Sequence, residues 1–397
     1  MSYNTLAAIL PVAVRQALRP TTKCLRIILL FLGITPLPAF AGHLHHLWYN
    51  NSNWQDQDLI ALTGGANSYG AGVAAFYTAP NQELHVYYAD TNGYIHQLYY
   101  KGSTWSDQNL TALTGAPLAL VGGISGFAIG NLQYVFYVSV DQHVHQLNYN
   151  NINWTDSDLT SLGNGVLANP VIRAFPTKPN NQLHVYYQDS NATNMHQLYF
   201  NGSAWSDSDL TSATGAYCPG GQWWAGFATG NLQHIFCAGY GALSGNLDLL
   251  HIYYNNYTWV YEDITFRAGG SELPMWSDSG ISGFVAGGKG EIYGVTNDSH
   301  VHQFTFSKGQ WISFDLTTSI GAPTKTYGGI TAFPTTPNGQ FHIYFASGSD
   351  VYQVYYNGTS WSVQNLTGGG GQANYYADIT GFAIANLQHV FYFDNQN

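Results

Sequence analysis

The chain has 397 residues, of which 8% are charged and 15% aromatic, with 44 glycines against 14 prolines. Eleven basic residues face 22 acidic ones, a formal net charge of −11, which excludes nucleic acid as a natural partner because a negative surface repels a phosphate backbone. Apolar content of 45% and the lack of charge blocks exclude a disordered chain, while 30 Tyr and many Gly suit short twisted strands joined by tight turns.

Residues 1–41 read as a secretory signal segment. Arg15, Arg19, Lys23 and Arg26 occur there without a single acid, the apolar run Ile27–Ile34 follows, and Ala39-Phe40-Ala41 has the small-x-small pattern of a cleavage site. The run is shorter than the roughly 20 residues a membrane helix needs, although an uncleaved anchor is the rival reading. Cleavage leaves 42–397 as one domain, secreted or otherwise extracytoplasmic (periplasm or cell surface), with no transmembrane segment. That part keeps seven Lys and Arg against 22 acids, a charge of about −15. Of its cysteines only Cys218 and Cys237 remain, and an oxidising compartment allows them to pair.

From Gly42 onward the chain repeats. Trp recurs at 54, 105, 154, 205, 259, 311 and 361, and four residues after each stands Asp58, Asn109, Asp158, Asp209, Asp263, Asp315 or Asn365. Leu or Ile comes next, then Thr in every copy except the first, where Ile60 stands. Each unit holds four short β-branched and aromatic runs separated by turn signals such as Asn92-Gly93, Asn201-Gly202-Ser203 and Asn357-Gly358-Thr359. No window shows a sustained helical period. Seven units of about fifty residues with four strands each predict an all-β, seven-bladed β-propeller of four-stranded blades.

The ends predict how the ring closes. The repeat begins at His43-Leu44-His45 with only the two outer strands of a unit and ends at His389-Val390-Phe391-Tyr392 with only the two inner ones. Together they complete one blade and leave no free sheet edge there. The unit between Phe236 and Trp259 is irregular: Ala238–Asn246 are extra, and its third strand has no certain register around His251.

Familiar catalytic motifs are absent, namely Gly-x-Ser-x-Gly, His-Glu-x-x-His, the Walker loop and a helix-opening Gly-x-Gly-x-x-Gly. The acids repeat blade by blade, whereas a catalytic pair needs two carboxylates in different environments. The Asp58 to Asn365 series is expected to cap turns. Histidine forms two series. His45, His96, His145, His196 and His302 share a position (Tyr352 in one blade) and lie on the Leu face of their strands, so they are expected to be packed inside the blade. His85, His184, His234, His342 and His389 share the second position. Zinc needs three or four converging ligands, and equivalent positions on separate blades diverge around a ring, so neither metal nor cofactor is expected. The Trp series has two readings: filler between blades, or an aromatic platform for the C–H face of a sugar whose hydroxyls bond to neighbouring polar groups.

The unit His85-Val86-Tyr87-Tyr88, Ile95-His96-Gln97-Leu98-Tyr99-Tyr100, Gly102-Ser103-Thr104-Trp105 resembles a blade of the fungal fruit-body fucose lectins, which have six blades, and their bacterial seven-bladed relatives. The resemblance runs from Gly42 to the C-terminus. It implies a sugar between neighbouring blades, held by an Arg of the second strand, a Glu of the third and an aromatic. It places His85, Gln97 and Trp105 at those positions, then Tyr134, Gln146 and Trp154, then His184, Gln197 and Trp205. Later sets are Glu291, Gln303 and Trp311, and His342, Gln353 and Trp361; His389, His46 and Trp54 meet across the closure. The irregular blade offers His234 and Trp259, with Ile252 where an amide belongs. No position keeps the family's Arg or Glu pattern intact, so the charge-assisted bonds to fucose are missing, while His and Gln retain hydroxyl-bonding capacity.

Sequence therefore points to a secreted, multivalent, non-catalytic carbohydrate-binding lectin whose partners are glycans or glycoconjugates, with fucose or related deoxy and methylated sugars as candidates. The alternatives are a protein-binding or surface-scaffold propeller without sugar sites, and an enzyme built on the one asymmetric polar cluster, Glu262, Asp263, Arg267 and Glu272.

Overall fold

Alternating apolar and turn-forming segments fold each repeat into an antiparallel meander. In the Trp105 blade the strands are Ser68–Thr78, Glu83–Asp90, Ile95–Lys101 and Thr104–Asn109, in that spatial order from the ring axis outward. The computed structural model describes residues 42–395 except 220–223, 242–246, 270–279, 326–327, 369–371 and 375; the signal-segment expectation for 1–41 and Glu272 of the polar cluster lie outside these. Among the described residues, seven four-stranded sheets form, as the repeat predicts. Blades are named below by their Trp.

The Trp54 blade is the closure. Its order is Trp54–Asp58, Leu44–Tyr49, Leu387–Phe393, Ile379–Ile384, so the outer strands come from the start of the repeat region and the inner ones from its end. Leu47 lies opposite Val390, and the innermost strand Ile379–Ile384 packs beside Ser68–Thr78 of the next blade. The inner strands approach so closely that a Cβ on Gly72, whose φ is +73°, would sit 1.9 Å from the Gly122 carbonyl oxygen. Only glycine satisfies both the backbone angle and the space.

The core is distributed between blades. Tyr87 and Phe76 of one blade pack with Val135, Leu147 and Trp154 of the next, and the same arrangement joins Leu44 and Phe391 of the closure to Val86 and Leu98. Each interface removes apolar surface from water at about 25 cal/mol per Å².

A local device not expected from the sequence follows most fourth strands: a single helical turn, such as Leu59–Thr63 or Leu316–Ile320. The acid series caps these turns. Asp58 accepts from the Ala61 N–H at 2.8 Å, and Asp315 from that of Thr318 at 2.9 Å. The repeated Thr of the turn accepts from the third strand, as Thr111 does from the Ile95 N–H at 2.8 Å. In the irregular blade Cys218 and Cys237 are joined in a disulfide across 19 residues.

Candidate functional site

Strand alternation decides which side chains can meet. Directly paired residues of antiparallel strands share a face. Trp105 pairs with Tyr100 and Asp107 with Leu98, so they lie on one face of their sheet; Gln97, paired with Gln108 and Tyr87, lies on the other. The Trp of a blade therefore turns towards the preceding blade and its His and Gln towards the following one. The grouping the resemblance implies, with His85, Gln97 and Trp105 together, is not what the fold assembles.

The observed grooves pair His85 and Gln97 with Trp154, and Tyr134 with Trp205. Gln146 lies on the same face as Tyr134, since it pairs with Phe136 two residues on. Tyr186, beside His184 and Gln197, meets Trp259 edge-on at 6.2 Å; Tyr293, beside Glu291 and Gln303, meets Trp361 at 6.3 Å; Tyr344, beside His342 and Gln353, meets Trp54 at 6.0 Å. His251 and His234 face Trp311, and His46 and His389 face Trp105. In the irregular blade the amide position is filled by His251, paired with Phe236 as Gln97 is with Tyr87, and not by Ile252.

Three of these polar sets satisfy themselves. Gln97 Nε2 lies 3.0 Å from His85 Nδ1, from Tyr87 Oη and from Gln133 Oε1 of the next blade. Tyr87 donates to the same Gln133 oxygen, and His85 Nε2 is bonded to Thr78 Oγ1 at 2.9 Å. The network recurs as Thr177, His184, Tyr186, Gln197 and Gln233, and as Thr335, His342, Tyr344, Gln353 and Gln388. These groups are buried, and burial holds the imidazoles of His85, His184 and His342 down to about 4, hence neutral. They bind one blade to the next, with both imidazole nitrogens, the Tyr hydroxyl and the Gln Nε2 already hydrogen-bonded. Glu291 is likewise held by Gln303 at 2.8 Å and Thr305 at 3.2 Å, and burial raises its pKa.

The irregular blade carries charge. His234 bonds His251 at 2.9 Å, His251 bonds Glu262 at 3.0 Å, and the Trp311 indole N–H of the next blade donates to the same Glu262 oxygen at 2.9 Å. Arg267 pairs with the other oxygen at 2.9 Å. Burial would raise the Glu262 pKa, but these donors and charges overcome it and bring it below the usual value. Asp263 caps the adjoining helical turn. Glu262 is thus a shared acceptor at a blade junction.

The closure groove differs. It has a volume of about 590 Å³ and is lined by His46, Trp48, Gln57, Leu62, Leu84, Tyr100, Ser103, Thr104, Trp105 and His389. His46 Nε2 bonds His389 Nδ1 at 3.0 Å, and its ring stacks on Trp48 at 4.8 Å. Burial holds His389 down to about 4 and, with the neighbouring His389, lowers His46 well below its ordinary value, so both rings are neutral. His389 Nε2 is buried without a hydrogen-bond partner. The cause is local: the equivalent His234 Nε2 is bonded by Thr229 at 2.7 Å, but Ile384 stands at that place in the closure blade. The neighbouring groove at Trp154 has a volume of about 600 Å³, with the Lys101–Glu83 ion pair, 2.9 Å, among its lining.

Trp48, Gln57, Leu62 and Tyr100 were given no site role from the sequence; Tyr100 belongs to an aromatic that pairs with the Trp in every blade, as Tyr49, Tyr149 and Tyr356 do, and so reads as packing. Alternation along Leu44–Tyr49, which sets Trp48 on the face of His46, was the available signal.

No protein-family model matches the chain, and no curated protein sequence does. Solved structures share its fold. The Burkholderia pseudomallei lectin BP39L superposes with a TM-score of 0.56 at 13% identity, covering 79% of this chain and 88% of that one. The six-bladed, fucose-recognising lectin of Aleuria aurantia gives 0.51 at 15% identity, covering 75% and 95%. AofleA from Arthrobotrys oligospora gives 0.50 at 14%, covering 88% and 92%. The chain is thus a seven-bladed β-propeller whose structural neighbours include lectins, the fucose-recognising lectin of Aleuria aurantia among them, a likeness that at these identities is one of fold.

Proposed function

We propose that this protein is a non-catalytic carbohydrate-binding propeller, exported from the cytoplasm, that takes sugars in the grooves between blades. The observation carrying this reading is the closure groove, where Trp105 and Trp48 line the same pocket as His389, whose Nε2 is buried just beneath it without a hydrogen-bond partner. A sugar stacks its C–H face on an indole and places a hydroxyl on the unpaired nitrogen, removing the cost of leaving it buried and alone. The groove is of small-ligand size. The Aleuria aurantia neighbour recognises fucose, and fucose with related deoxy and methylated sugars heads the candidate ligands here.

The self-satisfied networks at His85, His184 and His342 favour fewer working sites than blades. Valency rests on the remaining grooves, and two sites on one rigid ring suffice for avidity on a glycan surface. Agglutination of fucosylated beads, reversed by free sugar, tests binding and valency together; no agglutination and no retention on the beads would reject both. Export is tested by N-terminal sequencing of protein recovered outside the cytoplasm, where Gly42 is the expected first residue.

Exposed Ile152 (86%) and Tyr257 (90%) at hairpin tips favour a second reading, a protein-binding scaffold. Capture of a protein partner with no glycan response would select it.

A further inference from the structure

We infer that the Trp311 blade holds a divalent transition-metal ion of the zinc class between Asp298, His300, His302 and Asp315, at the opposite end of the strands from the Trp groove. One ligand atom from each residue lies within 4.8 Å of all the others. His300 Nδ1 is 2.9 Å from Asp315 Oδ2 and 3.5 Å from Asp298 Oδ2, and His302 Nε2 is 3.3 Å from that same Asp298 oxygen. A tetrahedral ion with bonds of about 2.0–2.1 Å needs ligand atoms roughly 3.3 Å apart. Two imidazoles with two carboxylates form a donor set for zinc, cobalt or nickel rather than calcium or magnesium. His302 Nδ1 lies 3.3 Å from Ser313 Oγ, the outer contact that orients a ligating ring. The ligands converge within one blade, so the divergence of positions around the ring does not apply.

A second observation comes from the Trp154 blade, where Asp141, His143, His145 and Asp158 repeat the spacing. There His143 Nδ1 bonds Asp158 at 2.8 Å, and His145 is fixed through Nδ1 on Asp156 at 3.0 Å. His145 Nε2 is left buried and unpartnered at the position from which His302 Nε2 reaches Asp298. The closure blade shares two of these contacts, drawn from both ends of the repeat region: His45 Nε2 lies 3.3 Å from Asp394, and His43 Nδ1 2.6 Å from Asp58; among the described residues only the Trp311 set brings four such ligand atoms within 4.8 Å of one another. Capping alone does not call for imidazole, since Asn194 supports the cap residue Asp209 at 2.8 Å in the Trp205 blade.

The test is titration of the chelator-treated, untagged protein with Co²⁺, followed by displacement with Zn²⁺. The expected result is the intense visible absorption of a four-coordinate centre, saturating at one to three equivalents. His300→Asn, the residue the Trp205 blade uses, removes one equivalent or weakens it at least tenfold while the metal-free melting temperature and glycan binding stay unchanged. Asp298→Asn is the second variant with the same expected loss. No four-coordinate absorption from folded protein, or stoichiometry and affinity unchanged in both variants, would overturn the proposal.

Discussion

Trp105 meets His46 of the preceding blade edge-on, with ring centroids 5.5 Å apart and planes at 74°. One ring supplies an apolar face and the other belongs to the neutral His46–His389 pair, so the groove has the two components sugar binding needs. Trp105→Ala is expected to weaken sugar binding at the closure groove at least tenfold, and Trp105→Phe to weaken it less, since a smaller ring retains part of the stacking. Calorimetric titration of each folded variant checks the order; equal affinities in all three would remove Trp105 from the site.

His389 offers a complementary test that adds a partner instead of removing one. Ile384→Thr places a hydroxyl where Thr229 bonds His234 in the irregular blade. The new bond occupies His389 Nε2, so sugar affinity is expected to fall several-fold, with stability changed by no more than about 1 kcal/mol. Affinity equal to wild type would show that the orphaned nitrogen does not bond the ligand.

Gln97 is assigned the opposite role. Its amide joins His85, Tyr87 and Gln133 across a blade junction. Gln97→Ala is expected to cost about 1–3 kcal/mol, because buried partners are left unsatisfied, and to leave closure-groove binding intact. Denaturant unfolding alongside sugar titration separates the effects; a stable variant with lost sugar binding would reverse the assignment.

The contrast between these residues explains what was legible in the sequence. The seven Trp and the capping acids repeat because every blade needs them, so fold, blade number and closure could be read directly. The site was less legible. The resemblance groups Trp105 with Gln97 in one blade, whereas the two-residue period of a strand sends them to opposite faces. That correction was available from alternation alone. The Ile384 for Thr229 exchange was not, because it matters only once His389 is seen to lack a partner. In the irregular blade the extra residues 238–246 hid the register that sets His251, not Ile252, opposite Phe236.

Neutral buried imidazoles make stability depend on pH. Burial holds His85, His184, His234, His342 and His389 down to about 4, against 6.5 for an exposed ring. Between these values the unfolded chain takes up protons that the folded one refuses, so stability falls as pH drops from 6.5 towards 4, by up to roughly 1.4 kcal/mol per pH unit for each ring. His45 runs the other way: burial lowers its pKa, but bonds to Asp394 and Asp56 raise it to about 9, so its contribution is present below 6.5 and is lost as pH rises through 9. Melting temperature is expected to drop between pH 7 and pH 5; an unchanged value would contradict neutral burial of these rings.

Sugar recognition at the closure groove is tested most directly by a glycan array that includes fucosylated and methylated sugars, probed side by side with the folded protein from Gly42 to Asn397 and its Trp105→Ala variant. The expected result is a defined set of glycans, competed by free sugar and weakened in the variant. A blank array from folded protein, or hits unaffected by Trp105→Ala, would contradict sugar recognition at the closure groove.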